Sequence, residues 1–290
     1  IVRSKQLVNW GEVIISEWGL SNAVWYSQNI PPEKTHFIRV HLQEINERAR
    51  KFPPKINLDS VNKIIFVSDT VRETARQMFN WPDDKMTVIH NYVNTQLFDR
   101  VKSDDSEYTL AIIGIVPQRK RLDRAVYLVR SLRMIDDRWR LVIKGKLPHD
   151  YAFMHAPGRK EELVYYDEQY ERFEMDHHLR GAVSFESFTP SIADWYSGIG
   201  YVLSPSDFES FHYSIAEGVA SGCVPIIWPW DGAEEFYPDS WIGQNHQEIV
   251  EMVLDSQRRK SSVIQKNKQL IHQRYSMNKI FTKLQDEMGL

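Results

Sequence analysis

The chain has 290 residues, 42% hydrophobic and 26% charged, with 13 glycines and 13 prolines, which suits one large or two small globular domains and excludes collagen-like, low-complexity, coiled-coil and wholly disordered classes. Its 36 basic and 39 acidic residues leave a formal net charge of -3, so no global basic field recommends nucleic acid as a partner. The single cysteine, Cys223, excludes a disulfide framework and a multi-cysteine zinc site, and makes the cytoplasm the expected compartment.

The chain opens at Ile1 without the pattern of a signal peptide, and reads as a processed piece or a fragment. The β-branched runs at 13–16 (VIIS), 36–41 (HFIRVH), 63–68 (KIIFVS) and 87–93 (TVIHNYV) then follow one another. Strands spaced by helices predict parallel βαβ units. Between them, 70–79 has apolar Val71, Ala75, Met78 and Phe79 at helical spacing, with the hydroxyls of Ser68 and Thr70 available as caps. The polar run at 99–108 (DRVKSDDSEY) has the composition of an inter-domain segment, and the expected boundary falls between residues 102 and 103.

The alternation restarts with strand patterns at 109–116, 139–146, 182–187, 200–206 and 223–230. Helical patterns at about 122–135, 159–178, 190–197 and 211–221 separate them, so the expected fold is a doubly wound α/β domain over 103–272. No run approaches the about 18 apolar residues of a membrane-spanning helix. The basic segment at 257–260 (QRRK) reads as a solvated face, with a peripheral contact to an anionic membrane left open.

The strongest chemical signal is SPSDFESFHYSIAEGVASG at 204–222. Glu209 and Glu217 stand eight residues apart, so on one helix they would lie within about 80° of each other and face one cleft. Backbone N–H groups of Ser210, Phe211, His212 and Tyr213 at a helix start would suit a phosphate. The competing reading makes Glu209 an early-turn acid favoured by the helix dipole and Glu217 a solvated residue. Arg119, Lys120 and Arg121 follow a strand end, where cations can hold a diphosphate or simply form a solvated turn. The aromatic content, with nine tryptophans, suits a sugar-handling cleft and also an ordinary core. The fingerprints of serine hydrolases, zinc proteases, P-loops and Rossmann dinucleotide sites do not occur.

The 204–222 segment resembles the E-x7-E signature of the family-4 retaining glycosyltransferases of GT-B fold, including Ser204-Pro205-Ser206 before it and the stretch from Gly222 to Pro225 after it. IIGIVPQRKRLD at 112–123 resembles the opening of that family's donor domain, with Gly114 and Lys120 six apart. The segments 139–148 and DGAEE at 231–235 resemble its later loops, and IFVSDTVRE and VIHNYVNTQLF the end of its acceptor domain. In two places the chain departs from the pattern: Ile115 stands where a phosphate-binding arginine is usual, and His212 where glycine is common. For the first, either Arg119 or Arg121 takes over the role, or donor binding is weaker than is usual in that family. For the second, His212 is either a substitute cation or a packed residue.

The resemblance implies two Rossmann-like domains, a partial acceptor-side domain over 1–102 lacking its opening strand and glycine-rich loop, and a donor domain over 103–272. A helix at 273–290 is expected to return to the first domain, and the site to lie in the cleft between the two. It further implies a nucleoside-diphosphate sugar donor, a glycan or lipid-linked acceptor, no obligatory metal or cofactor, and a place in bacterial surface polysaccharide synthesis. Carried onto this chain, Glu209 contacts the donor sugar, Glu217 the ribose, Lys120 and Arg119 the diphosphate, and His41 the transferred sugar. His90 is a weaker candidate. A noncatalytic nucleotide-sugar-binding scaffold, or another GT-B enzyme such as an epimerase or phosphorylase, remains the alternative.

Overall fold

A computed structural model describes residues 2–258 and 260–289; Arg259 of the basic 257–260 segment lies outside the described residues. The chain divides into two compact units, one formed by 1–91 together with 280–290 and the other by 92–279.

In the first unit the β-branched runs become β1 (Val13–Glu17), β2 (Thr35–Val40), β3 (Lys63–Phe66) and β4 (Met86–Val88), all parallel and in the spatial order β1-β2-β3-β4. Ile38, Val40, Ile64 and Phe66 are fully buried and pack with Val71, Ala75 and Trp81. The amphipathic helix Asp69–Phe79 forms where expected: the Ser68 hydroxyl accepts from the Val71 amide, and Asn80 closes the helix in the left-handed region at φ 50°. The fourth strand is shorter than its apolar run, so His90 and Asn91 lie in the loop beyond it.

The second unit contains β5 (Thr109–Ile113), β6 (Arg140–Lys144), β7 (Val183–Glu186), β8 (Tyr201–Ser204) and β9 (Val224–Ile227). The five parallel strands are ordered β7-β6-β5-β8-β9. Alternate residues feed two cores: Leu110, Ile112, Leu141, Ile143 and Leu203 point into one, Ala111, Val142 and Val202 into the other. Both faces are covered, which is why these strands read as continuous apolar runs.

The first unit ends at Asn91, ahead of the expected boundary at 102/103. The polar run ends in a 3-10 helix, Asp104–Tyr108, and Val93 and Phe98 before it are buried in the second unit's core, where Val93 bridges to Ser276. Apolar anchorage, rather than polarity, decides the assignment. The helix Met277–Met288 starts in the second unit, and its residues from Ile280 onward belong to the first.

Candidate functional site

In the second unit the chain winds from β5 to β6 and β7 on one side, then crosses to β8 and β9 on the other. That reversal is a topological switch point, and the carboxyl ends of β5 and β8 border the crevice such a sheet offers a ligand. The loop after β5 opens at Gly114 in the left-handed region, φ 69°, with open space where a side chain would stand. Gly145, at φ 134°, lies against it. Ile115, the departure from the family pattern, is a core residue whose carbonyl accepts from the Tyr166 hydroxyl at 2.6 Å.

The two loops bring the expected residues together. Lys120 Nζ lies 2.5 Å from Glu209 Oε1, and Arg119 Nη1 3.4 Å from the same oxygen. Arg119 also donates to the Phe208 carbonyl at 2.7 Å and covers the Phe208 ring at 4.4 Å, while the Asp207 amide donates to the Arg119 carbonyl. Burial disfavours the charged carboxylate of Glu209, yet His212, protonated at the acid pH where Glu209 titrates, together with Lys120 and Arg119 outweighs it and holds the group at about 2. Arg121 is not part of this cluster: its guanidinium pairs with Asp123 at 2.8 Å and with Asp207 at 2.9 Å. Of the two replacements considered for the missing arginine, Arg119 is therefore the one beside Glu209.

One expectation about the segment 209–217 needs correction. The helix begins at Tyr213, so Glu209 stands in the preceding loop and shares no helix face with Glu217. His212, at φ 54°, is buried with Nδ1 2.5 Å from the Ser204 hydroxyl. Burial pushes its ring down to about 4 against the pull of Glu209, so at neutral pH it is a neutral imidazole and not a substitute cation. Phe211 is a core residue, edge-on to Phe236 and Tyr275, and its carbonyl accepts from the Tyr237 hydroxyl at 2.5 Å. Ser210 is half-buried and Tyr213 exposed.

Glu217 is carried by the helix Tyr213–Ala220. The next residue, Gly218, packs so closely on β8 that an added Cβ would stand 2.8 Å from a Val202 methyl, which sets the depth at which Glu217 is held. Burial pushes its carboxyl up to about 7, opposed by the Tyr196 hydroxyl 3.5 Å away. Sequence reasoning missed a further cluster of this unit, at the end of β6. Lys144, buried at the end of β6, and the Trp195 indole both approach Glu186 Oε2, at 3.4 and 2.7 Å. A charged residue closing an otherwise apolar strand was the available signal at Lys144.

In the first unit His41 follows β2, with Nε2 3.4 Å from Glu17 Oε1 and its ring edge-on to Trp18 at 6.1 Å. Burial, then the nearby Arg39 charge, push His41 down to about 4. Arg39 pairs with Glu17 at 3.3 Å and donates to Asn91 Oδ1 at 2.9 Å. Glu44, unforeseen and fully buried, accepts from the Gly19 amide at 2.7 Å and the His41 amide at 3.1 Å. His90 Nδ1 lies 2.9 Å from the Val67 carbonyl and has a structural partner. A cavity of about 570 Å³ lies at the amino ends of the strands, away from His41, and its lysines are held by backbone carbonyls: Lys34 by Gly11, Lys85 by Val61.

No protein-family profile matches the chain. Over 244 residues, 75% of the chain, it is 24% identical to a Methanocaldococcus jannaschii protein described as an uncharacterized glycosyltransferase, MJ1607, and it spans 57% of that protein's length. Its structure is similar to that of Anabaena Alr3699/HepE in complex with UDP, with a TM-score of 0.78 at 13% identity over 99% of this chain and 81% of the other. Sucrose-phosphate synthase from Thermosynechococcus elongatus is also similar, with a TM-score of 0.70 at 14% identity over 98% and 75% of the two chains. These likenesses show the fold, which is α/β of GT-B type with two Rossmann-like parallel sheets.

Proposed function

We propose that this chain is a retaining glycosyltransferase that moves a sugar from a nucleoside-diphosphate sugar to a glycan or lipid-linked acceptor. The bond between the sugar's anomeric carbon and the phosphate oxygen breaks, the diphosphate leaves with the electron pair, and the acceptor oxygen bonds to that carbon as its proton passes to an oxygen of the leaving diphosphate. The observation that carries the reading is the convergence of Lys120 and Arg119 on Glu209 at the β5/β8 switch point. Cations placed there meet the charge that develops on the leaving diphosphate, and no metal ion is given a role.

In this reading an incoming diphosphate competes with Glu209 for Lys120 and Arg119, and the released carboxylate orients the donor sugar. Glu217 accepts from the ribose hydroxyls, a role that suits a desolvated carboxyl in need of donors. His41, neutral at physiological pH, accepts or donates a hydrogen bond to the transferred sugar without adding charge. UDP-sugars are the first donors to test, because the Anabaena neighbour binds UDP and UDP-glucose.

Calorimetric titration with UDP-, GDP-, ADP-, CDP- and dTDP-sugars tests the donor site. One nucleotide class should bind, and Glu217→Ala should weaken it by about 1–3 kcal/mol, the scale of a lost hydrogen bond to a charged group. Product analysis with an accepted glycan should then show an unchanged anomeric configuration. Failure of all five nucleotides to bind the folded chain sinks the proposal.

A further inference from the structure

The loop after β1 holds an aromatic residue in a conformation that disfavours it. Trp18 adopts φ 74°, in the left-handed region where a bulky side chain is strained and glycine is preferred, and yet 45% of its surface is exposed. Burial of the ring therefore does not explain the strain. The next residue fixes it: the Gly19 amide is tied to the buried carboxylate of Glu44 at 2.7 Å, and the ring stands edge-on to His41. Strain that the surroundings over-determine is a mark of functional loops.

The groups beside the ring define a chemistry. Glu17, half-exposed, offers its carboxylate between Arg39 and His41. Arg39 is committed to Glu17 and Asn91, so the patch has no spare cation for an anionic ligand. A part-exposed indole beside a half-exposed carboxylate fits an uncharged ring with one apolar face and a rim of hydroxyls.

We propose that Trp18 is a stacking platform for a pyranose ring of the acceptor, with Glu17 accepting from its hydroxyls, so that the acceptor is a saccharide and not a simple alcohol or an anionic group. The assignment rests on the proposed transferase reading for its biological sense, but its test does not.

Binding of methyl glycosides of glucose, galactose, mannose and N-acetylglucosamine to the full chain can be followed by saturation-transfer NMR, with glycerol as the control and UDP-glucose titrated in parallel. The expected result is that one glycoside binds and glycerol does not. Trp18→Ala should weaken that glycoside about tenfold, Trp18→Phe less, and both should leave UDP-glucose affinity unchanged. Trp18→Gly should weaken the glycoside about as much as Trp18→Ala while the melting temperature stays level or rises, since glycine accepts the backbone conformation. Equal glycoside affinity in Trp18→Ala overturns the proposal. So does the absence of any glycoside binding to the folded wild-type chain, whether or not UDP-glucose binds. Glycoside binding at Trp18 with no nucleotide-sugar binding would leave the platform standing and remove the transferase reading.

Discussion

The two units each place an acid, a cation and a neutral histidine at the carboxyl ends of a parallel sheet, but they balance charge in opposite ways. In the second unit Glu209 is 10% exposed and carries two cations, Lys120 and Arg119, on the loop after β5. In the first unit Arg39 is the buried partner, fixed by Asn91, while Glu17 is 51% exposed. The second cluster has a positive charge to hand over once an anion displaces Glu209. The first has only a carboxylate to offer. The same sheet edge thus suits a diphosphate in one unit and a neutral, hydroxyl-rich ligand in the other.

The largest expected effect breaks the second cluster. Lys120→Ala leaves a mostly buried carboxylate with only Arg119, and should cost about 3 kcal/mol of stability in urea unfolding, the scale for breaking a buried pair; a loss under about 0.5 kcal/mol would show the pair to be incidental.

An effect of comparable size is pH-dependent. Glu217's folded pKa is raised from 4.5 to about 7, so the native state holds this proton more tightly than the unfolded chain and loses stability as pH rises from 4.5 through 7. Glu217→Gln should therefore gain about 3 kcal/mol over the parent at pH 8, and the gap should close below pH 4.5. A gap of constant size across that range would contradict the assigned burial cost.

In the first unit, Trp18→Gly should raise stability by about 1 kcal/mol by relieving the left-handed backbone; a destabilised variant would show the indole to be a packing residue. The smallest effect is expected for Arg121→Ala. Its partly exposed pairs with Asp123 and Asp207 should contribute less than about 1 kcal/mol to stability, and nucleotide affinity should not change. Loss of UDP binding in this variant would move the diphosphate site from Arg119 to Arg121.

Much of this comparison was legible in the sequence, and the exceptions have physical causes. The second unit's strands stood out because burial on both faces demands unbroken runs such as LAII and LVIK. Lys120 and Glu209 were legible because each follows a strand end by a few residues. The helices Val2–Trp10 and Ser21–Asn29 were not: the latter starts after Leu20 with no side-chain cap and buries only Ala23 and Ser27. Glu44, three residues past His41, looks like any early-helix acid until the fold closes over it and turns its oxygens to the Gly19 and His41 amides. His212 stayed open between a cation and a packed residue because its partner, the Ser204 hydroxyl, is set by the turn geometry and not by its position in the chain.

The central claim is that Lys120 and Arg119 are held by Glu209 in reserve for a diphosphate. The most direct test is the affinity of UDP for the wild-type chain, Lys120→Ala and Glu209→Gln, measured by calorimetry at one ionic strength. The account predicts that Lys120→Ala weakens UDP at least about tenfold, whereas Glu209→Gln, which frees both cations, tightens it. UDP affinities unchanged in both variants would place the nucleotide elsewhere and contradict the account.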